Sequence, residues 1–306
     1  MLTYIVKRLL QVPLVVFGVS IIIFFLIHIS PVDPAYVLLG ESGTQEQAEQ
    51  LSEAMGLNRS LPLQYFTWIS NALRGNLGIA MMDHQPVSRL LFEKFPATLR
   101  LMIGSMIVAV CIAFPLGIVA AIWRNSWTDF GARTFALLGI STPEFWFGMI
   151  LILVVAYYWD WLPSGGGNSL IYVILPSFAL GFRYSGLIAR LVRSNLLDTL
   201  SKDYITTARA KGNKERTVIF KHAMKNTLIP VITIIGLQIG YLLGGTVAIE
   251  AVFAYPGLGQ LTWTRMLSGD YPVILGSLLF FSLFFSIVNL VTDLSYAFVD
   301  PRIRYG

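Results

Sequence analysis

Six long apolar runs constrain the fold of this chain more than any other feature of its sequence. A helix needs roughly 20 consecutive apolar residues to cross the hydrocarbon core of a bilayer, and each run is about that long. Because lipid offers the backbone no hydrogen-bond partners, such a run must satisfy its own amides and carbonyls as a helix. We therefore predict an all-α, polytopic membrane protein with six transmembrane helices. The predicted spans are Leu9–Ile29, Thr98–Trp123, Phe135–Trp159, Leu170–Val192, Leu228–Val252 and Val273–Phe298.

The charge and cysteine contents exclude several other classes of protein. Charged residues make up 13% of the 306 residues, against about 25% in a typical soluble domain. The single cysteine, Cys111, excludes an intrachain disulfide and a cysteine zinc cluster, and we interpret it as a small packing residue. The three histidines are scattered along the chain, and no metal site is predicted.

The distribution of basic residues predicts the orientation of the spans. With the N-terminus in the cytoplasm, fifteen of the 22 lysines and arginines lie on the cytoplasmic side, as the positive-inside rule requires. Both termini are then cytoplasmic. The chain divides into an N-terminal segment with the first helix (1–29), an extracytoplasmic loop with short helices (30–97) and a five-helix core (98–306). The core includes a basic cytoplasmic loop (193–227).

That cytoplasmic loop is too long for a simple connection and too polar for a span. Asp203 can cap a short helix over Tyr204–Lys211. Gly212 can end this helix, because glycine tolerates the left-handed conformation past a helix terminus. Asn213 can start a second helix.

One face of the predicted first helix carries small residues. Ile205, Ala208 and Gly212 share this face, and their size would let another surface approach closely. Arg209 and Lys211 flank it and would meet an acidic partner. From spacing alone, a basic loop resting on anionic lipid headgroups is an equally good interpretation.

The same segment resembles a motif of a known family. Thr207-Ala208-Arg209-Ala210-Lys211-Gly212, followed after seventeen residues by Pro230, resembles the EAA loop of permease subunits in ATP-binding-cassette (ABC) importers. The form Ala-Arg-Ala-Lys-Gly is similar to the dipeptide/oligopeptide/nickel branch. The chain departs from the pattern where Thr207-Ala208-Arg209 replaces the Glu-Ala-Ala triplet. Other stretches resembling this branch are Met1–Pro34 with its Pro-x-Asp-Pro, Trp161–Pro163 with Gly165–Gly167, Tyr255–Gly259 and Asp300–Arg302.

The resemblance implies the type I ABC importer permease fold and a division of labour among subunits. Thr207–Gly212 would dock in a groove on a separate ATPase. The implied partners are a homologous second permease, two ATP-binding subunits that hold ATP and Mg²⁺, and an extracytoplasmic substrate-binding protein received through 30–97 and Trp161–Gly167. The implied location is the bacterial inner membrane. The implied substrate is a small peptide or related solute, with dipeptide, oligopeptide, nickel chelate, glutathione-like and sugar substrates all open.

The sequence itself supports a separate energy source. A nucleotide-binding P-loop ends in Gly-Lys-Ser/Thr, and no Gly-Lys dipeptide occurs in the chain. We therefore predict that the chain is not an enzyme, has no catalytic residues and holds no cofactor. Energy must come from another subunit or from an ion gradient.

We single out four ionisable residues within the predicted spans as candidates: Glu144, Arg183, Glu250 and Asp293. Charges in the membrane are costly and are functional candidates by default. Glu144 and Arg183 each lie about nine residues from the cytoplasmic end of a span, which places both roughly 14 Å deep. We predict that they face the bundle interior and pair directly. The pair is either structural or part of the translocation path, and Pro143 can kink the helix beside it.

Gly236, Gly240 and Gly244 recur at four-residue spacing in the fifth span. This spacing allows helices to approach closely. The glycines are interpreted either as packing residues or, by the resemblance, as part of a gate.

Two other functions remain to be weighed. An ion-coupled secondary transporter could use Glu144, Arg183 and Asp293 as a proton relay, although the paired halves typical of such proteins are not evident. An intramembrane enzyme is not supported, because neither His-Glu-x-x-His nor Gly-x-Ser-x-Gly occurs.

Overall fold

A computed structural model describes residues 2–29, 39, 44–54, 56 and 58–299. Every named element in these ranges is a helix, as predicted. The helices that we number are α1 (Leu2–His28), α2 (Gln45–Ala54), α3 (Leu61–Leu73), α4 (Val87–Ile122), α5 (Trp127–Ser141), α6 (Glu144–Tyr158), α7 (Ile171–Leu200), α8 (Asp203–Ala210), α9 (Glu215–Val252), α10 (Leu258–Leu267) and α11 (Tyr271–Val299). The Pro-x-Asp-Pro after the first helix and Asp300–Arg302 lie outside the described residues.

Five described helices are long and apolar enough to cross a membrane, and the count is six if α5 and α6 form one broken span. The predicted third span is broken at Pro143, where a kink was expected, and α5 and α6 meet at an angle of 103°. Thr142 is extended and Pro143 precedes α6, as expected where a proline disfavours helix at the residue before it. Pro115 and Pro176 lie within unbroken helices.

The long helices extend beyond the predicted spans, and this changes the cytoplasmic loop. Helix α4 begins at Val87, α7 continues to Leu200, and α9 begins at Glu215. Residues 201–214 therefore replace 193–227 as the segment between two long helices. The predicted second loop helix forms, but it begins at Glu215 and not at Asn213. It is not a separate helix, because it continues into α9 through a π-helical stretch at Val218–Ala223.

One compact unit comprises Leu99–Tyr255 and residues 288–299. Helix α7 is its most buried span, and glycines bring neighbouring helices close to it. A Cβ added to Gly139 of α5 would lie 2.9 Å from the Phe182 carbonyl oxygen, and one on Gly186 of α7 would lie 2.2 Å from that of Ala136. Any side chain larger than that of glycine at these two positions would push the neighbouring helices apart.

A second unit comprises the described residues between 2 and 98 together with Pro256–Ile287. Its apolar clusters pack α1 against α3 through Phe24 and Tyr65, and α4 against α10 through Leu91 and Leu258. A fully buried carboxylate, that of Asp270, accepts hydrogen bonds from the backbone amides that follow Ala80. The unit thus combines apolar contacts with a polar anchor.

Candidate functional site

The segment that resembles the EAA loop forms the short helix α8. It ends as predicted at Gly212, whose φ of +76° lies in the left-handed region that favours glycine. The predicted cap is wrong, because Asp203 is the first helical residue and the cap position belongs to Lys202. An aspartate in the first turn still suits the positive end of the helix dipole.

The faces of α8 differ from the prediction. Ile205 and Ala208 are buried in a cluster of this chain's own residues, with Leu196 of α7 and Val218 of α9. Two of the three residues of the predicted small-residue face are thus covered from within and are not free to receive a partner. The exposed residues of the segment are Tyr204, Thr206, Thr207, Arg209, Ala210, Lys211 and Gly212.

Polar contacts join α8 to the start of α9. Arg209 donates from Nη2 to Oε1 of Glu215 at 2.6 Å and from Nε to Oε2 at 3.1 Å. The hydrogen bond to this carboxylate raises the pKa of Arg209. Asn213, predicted to start a helix, instead donates its side-chain amide to the Ala208 carbonyl at 2.9 Å. Asn226 donates to the Tyr204 hydroxyl at 2.7 Å.

Glu144 and Arg183 form the direct ion pair that the sequence predicts. Nη1 of Arg183 lies 2.5 Å from Oε2 of Glu144, and the side chains are 45% and 15% exposed, respectively. The direct contact brings the two side chains to a common level, as predicted. The depth of about 14 Å assumed a straight third helix, and the break before Glu144 removes that assumption. Glu144 is instead the first residue of α6, directly after the break, where a carboxylate suits the helix dipole.

The other ionisable candidates lie elsewhere. Glu250 is fully buried in α9, and Asp293 is partly buried in α11. Neither is brought into the Glu144–Arg183 ion pair.

The glycines of α9 differ in how closely neighbouring helices pack against them. A Cβ on Gly236 would lie 2.6 Å from Cγ2 of Thr292 in α11, so this glycine permits close packing. Gly240 is buried. Gly244 meets nothing within 4 Å, whereas at the next position a Cβ on Gly245 would lie 2.9 Å from Leu180 of α7. Within this chain, Gly245 therefore makes the contact that the spacing assigned to Gly244.

Sequence reasoning missed the buried carboxylate of Asp129 in α5. Arg193 of α7 donates to both of its oxygens at 2.8 Å, and Arg133 lies 3.2 Å away. The side-chain oxygen of Ser126 accepts from the Asp129 amide at the helix start. This Ser-x-x-Asp spacing is a signal that could have marked both the helix and its acid.

A second missed contact holds the short outer loop. The Gly166 amide donates to the Phe253 carbonyl at 3.1 Å. A Cβ on Gly165 would lie only 1.7 Å from that carbonyl oxygen, so no other residue fits there. The run of three glycines was noted, but its partner after α9 could not be read from the sequence.

Comparison with known proteins identifies the family. Residues 113–305 match the family described as binding-protein-dependent transport system inner membrane component, and residues 1–102 match its N-terminal family. The chain is 43% identical over 305 residues to the glutathione transport system permease protein GsiC of Escherichia coli strain K12 and of strain CFT073, covering all of both chains.

Solved structures support the fold. An inward-facing MetNI methionine ABC transporter matches with a TM-score of 0.59 at 17% identity, over 69% of this chain and 96% of the other. An amino acid ABC transporter matches with a TM-score of 0.53 at 14% identity, over 69% and 94%. The predicted type I importer permease fold is confirmed, and the alternative of an ion-coupled secondary transporter is wrong. The chain belongs to the binding-protein-dependent transport system inner membrane component family and is a multi-pass permease subunit of an ABC importer.

Proposed function

We propose that this permease imports a small peptide of the glutathione class. The support is its identity of 43%, over the full length, to permeases named for glutathione transport. The observation that carries the proposal is the Glu144–Arg183 pair, because a peptide carries both a carboxylate and an ammonium group. Arg183 is 45% exposed, so part of its guanidinium is available to a substrate carboxylate.

The position of this pair supports a place on the translocation path. It lies at a break between two helices, and interrupted helices are common where transporters hold their substrates. A peptide carboxylate would compete with Glu144 for Arg183, and the peptide ammonium would then meet Glu144. Gly236 and Gly240 of α9 would support packing, while the open side of Gly244 would face the path or the second permease.

Energy is supplied by other subunits in this proposal. A homologous second permease and two ATP-binding subunits, which hold ATP and Mg²⁺, would complete the transporter, and a substrate-binding protein would deliver the peptide to the outer side. The ATPase would grip the segment Thr207, Ala208, Arg209, Ala210, Lys211 and Gly212. Since Ala208 is buried, Thr207, Ala210 and Lys211 would make the direct contacts.

The membrane is the bacterial inner membrane, with both termini in the cytoplasm. The binding protein would approach 30–97 and Trp161–Gly167 from outside. The basic residues around α8 support this orientation, because cytoplasmic loops carry the excess of lysine and arginine.

Reconstitution of the complete transporter tests the proposal. With the binding protein outside and ATP inside, proteoliposomes should take up labelled glutathione, and an ion gradient without ATP should not replace the nucleotide. Arg183→Met should assemble normally and lower uptake at least tenfold. Arg190→Met is the control, because Arg190 is exposed on the same helix, and it should retain uptake.

A structural ion pair gives a different result. Removing one partner of a buried pair strands the other charge, so Arg183→Met would then fail to assemble and Glu144→Gln with Arg183→Met would restore assembly. That result would exclude the path assignment. Uptake of a sugar or a nickel chelate, with none of peptides, would exclude the peptide substrate.

A further inference from the structure

We propose that α8 and the start of α9 form one rigid lever, with Arg209, Glu215, Tyr204 and Asn226 as its positioning residues. The inference rests on the proposed function, in which an ATPase grips α8. It concerns which transmembrane helix receives the movement of α8 when the ATPase pulls on it. The structure assigns the transmission to α9, the helix that carries Gly236, Gly240 and Gly244, because the directed polar contacts of α8 described below are with α9.

Helix α8 is attached to α9 near both of its ends. The Asn226–Tyr204 hydrogen bond holds its first turn, and the Arg209–Glu215 ion pair holds its last. Glu215 and Asn226 are about 16 Å apart along α9, at roughly 1.5 Å per residue. Because the two attachments are this far apart, α8 cannot rotate about either of them. A force applied to α8 therefore moves α9 as well.

The contact between α8 and α7 is apolar, unlike the polar contacts between α8 and α9. Ile205 and Ala208 meet Leu196 in an apolar cluster, and the link between Thr227 of α9 and Thr199 of α7 is a long 3.4 Å. Apolar contact is non-directional and allows packed helices to slide in small shear motions. The directed contacts of α8 are thus with α9, whereas α7 joins α8 through two residues of chain and an apolar cluster.

The turn between α8 and α9 strengthens the lever. Asn213 donates to the Ala208 carbonyl and closes the turn at Gly212. The ion pair itself is exposed, at 44% for Arg209 and 54% for Glu215, and exposed pairs contribute little to stability. Its loss should therefore leave the fold intact and change the transmission of movement.

A charge-swap experiment in the complete transporter tests this role. The readout is peptide transported per ATP hydrolysed, which a merely structural contact would not alter in an assembled complex. Arg209→Glu and Glu215→Arg should each lower this ratio at least threefold while ATP hydrolysis continues. The double variant should restore at least half of the wild-type ratio. Arg216→Glu, an equal charge change beside Glu215, should leave the ratio unchanged.

The second attachment gives an independent test. Asn226→Leu removes the hydrogen bond to Tyr204 and should lower the ratio, whereas Asn226→Asp can accept from the hydroxyl and should retain it. If Arg209→Glu instead releases the ATPase and the swap restores nothing, Arg209 is a docking residue and the lever is excluded. A wild-type complex that shows no ATP-dependent peptide uptake would refute the proposed function, which is a distinct result.

Discussion

Asp129 gathers two arginines around one carboxylate. Its side chain is fully buried, and Arg193 and Arg133 lie within 3.2 Å of its oxygens. In Asp129→Asn the charge is lost and Arg193, 20% exposed, keeps an unpaired guanidinium. Breaking a buried pair is costly, and we expect a loss of about 3 kcal/mol. The thermal stability of the detergent-solubilised complex measures it.

The matched control is Arg133→Gln, which removes the outer arginine of the same cluster. Arg133 is 50% exposed, so its loss should stay within about 1 kcal/mol. Equal losses in the two variants would contradict the assignment of Arg193 as the principal partner.

At the residue scale, the sequence was sufficient for Glu144 and Arg183 but not for Asp129. The first two stood out because each interrupts an apolar run, and burial without a partner would be too costly. Asp129 lies outside the run predicted for the third span, so the search for charges within apolar runs did not find it. Its burial depends on α5 packing against α7, which hydropathy does not encode.

At the element scale, the approach of α5 to α7 is set by single glycines. Gly186→Ala would place a Cβ 2.2 Å from the Ala136 carbonyl oxygen, and a backbone atom cannot move aside as a flexible side chain can. The helices must separate, and we expect a loss of about 3 kcal/mol. Size-exclusion profiles after heating should show fewer assembled complexes than wild type.

Gly131→Ala serves as the control on α5. Nothing lies within 4 Å of the added Cβ, and alanine is favoured over glycine in a helix by about 1 kcal/mol. Stability should therefore be equal or slightly higher. An unchanged Gly186→Ala complex would mean that α5 and α7 are farther apart than described.

The helices themselves were predictable from apolar run length, whereas their breaks and faces were not. Pro143 predicted a kink, but proline also lies inside unbroken helices at positions 115 and 176, so the residue alone does not fix a 103° bend. The covered face of α8 was assigned to a partner because Ile205 and Ala208 suit either surface. Only the positions of Leu196 and Val218 decide between them.

For the whole molecule, the proposed orientation rests on the distribution of basic residues and is testable by labelling. Ser164 in the short outer loop and Ser201 after α7 are both exposed, so Ser164→Cys and Ser201→Cys form a matched pair. Cys111 is also exposed, contrary to its interpretation as a packing residue, and must first be replaced in Cys111→Ala. A membrane-impermeant maleimide should label Ser164→Cys in intact spheroplasts and Ser201→Cys only after lysis.

The physical reason is the cost of moving lysine and arginine across the membrane during insertion. Residues 201–214 carry Lys202, Arg209, Lys211 and Lys214, while residues 160–169 carry no lysine or arginine. Labelling of Ser201→Cys in intact spheroplasts would reverse the orientation. It would also place α8 outside the cytoplasm, where no ATP is available. The proposed contact between this segment and an ATPase would then be excluded.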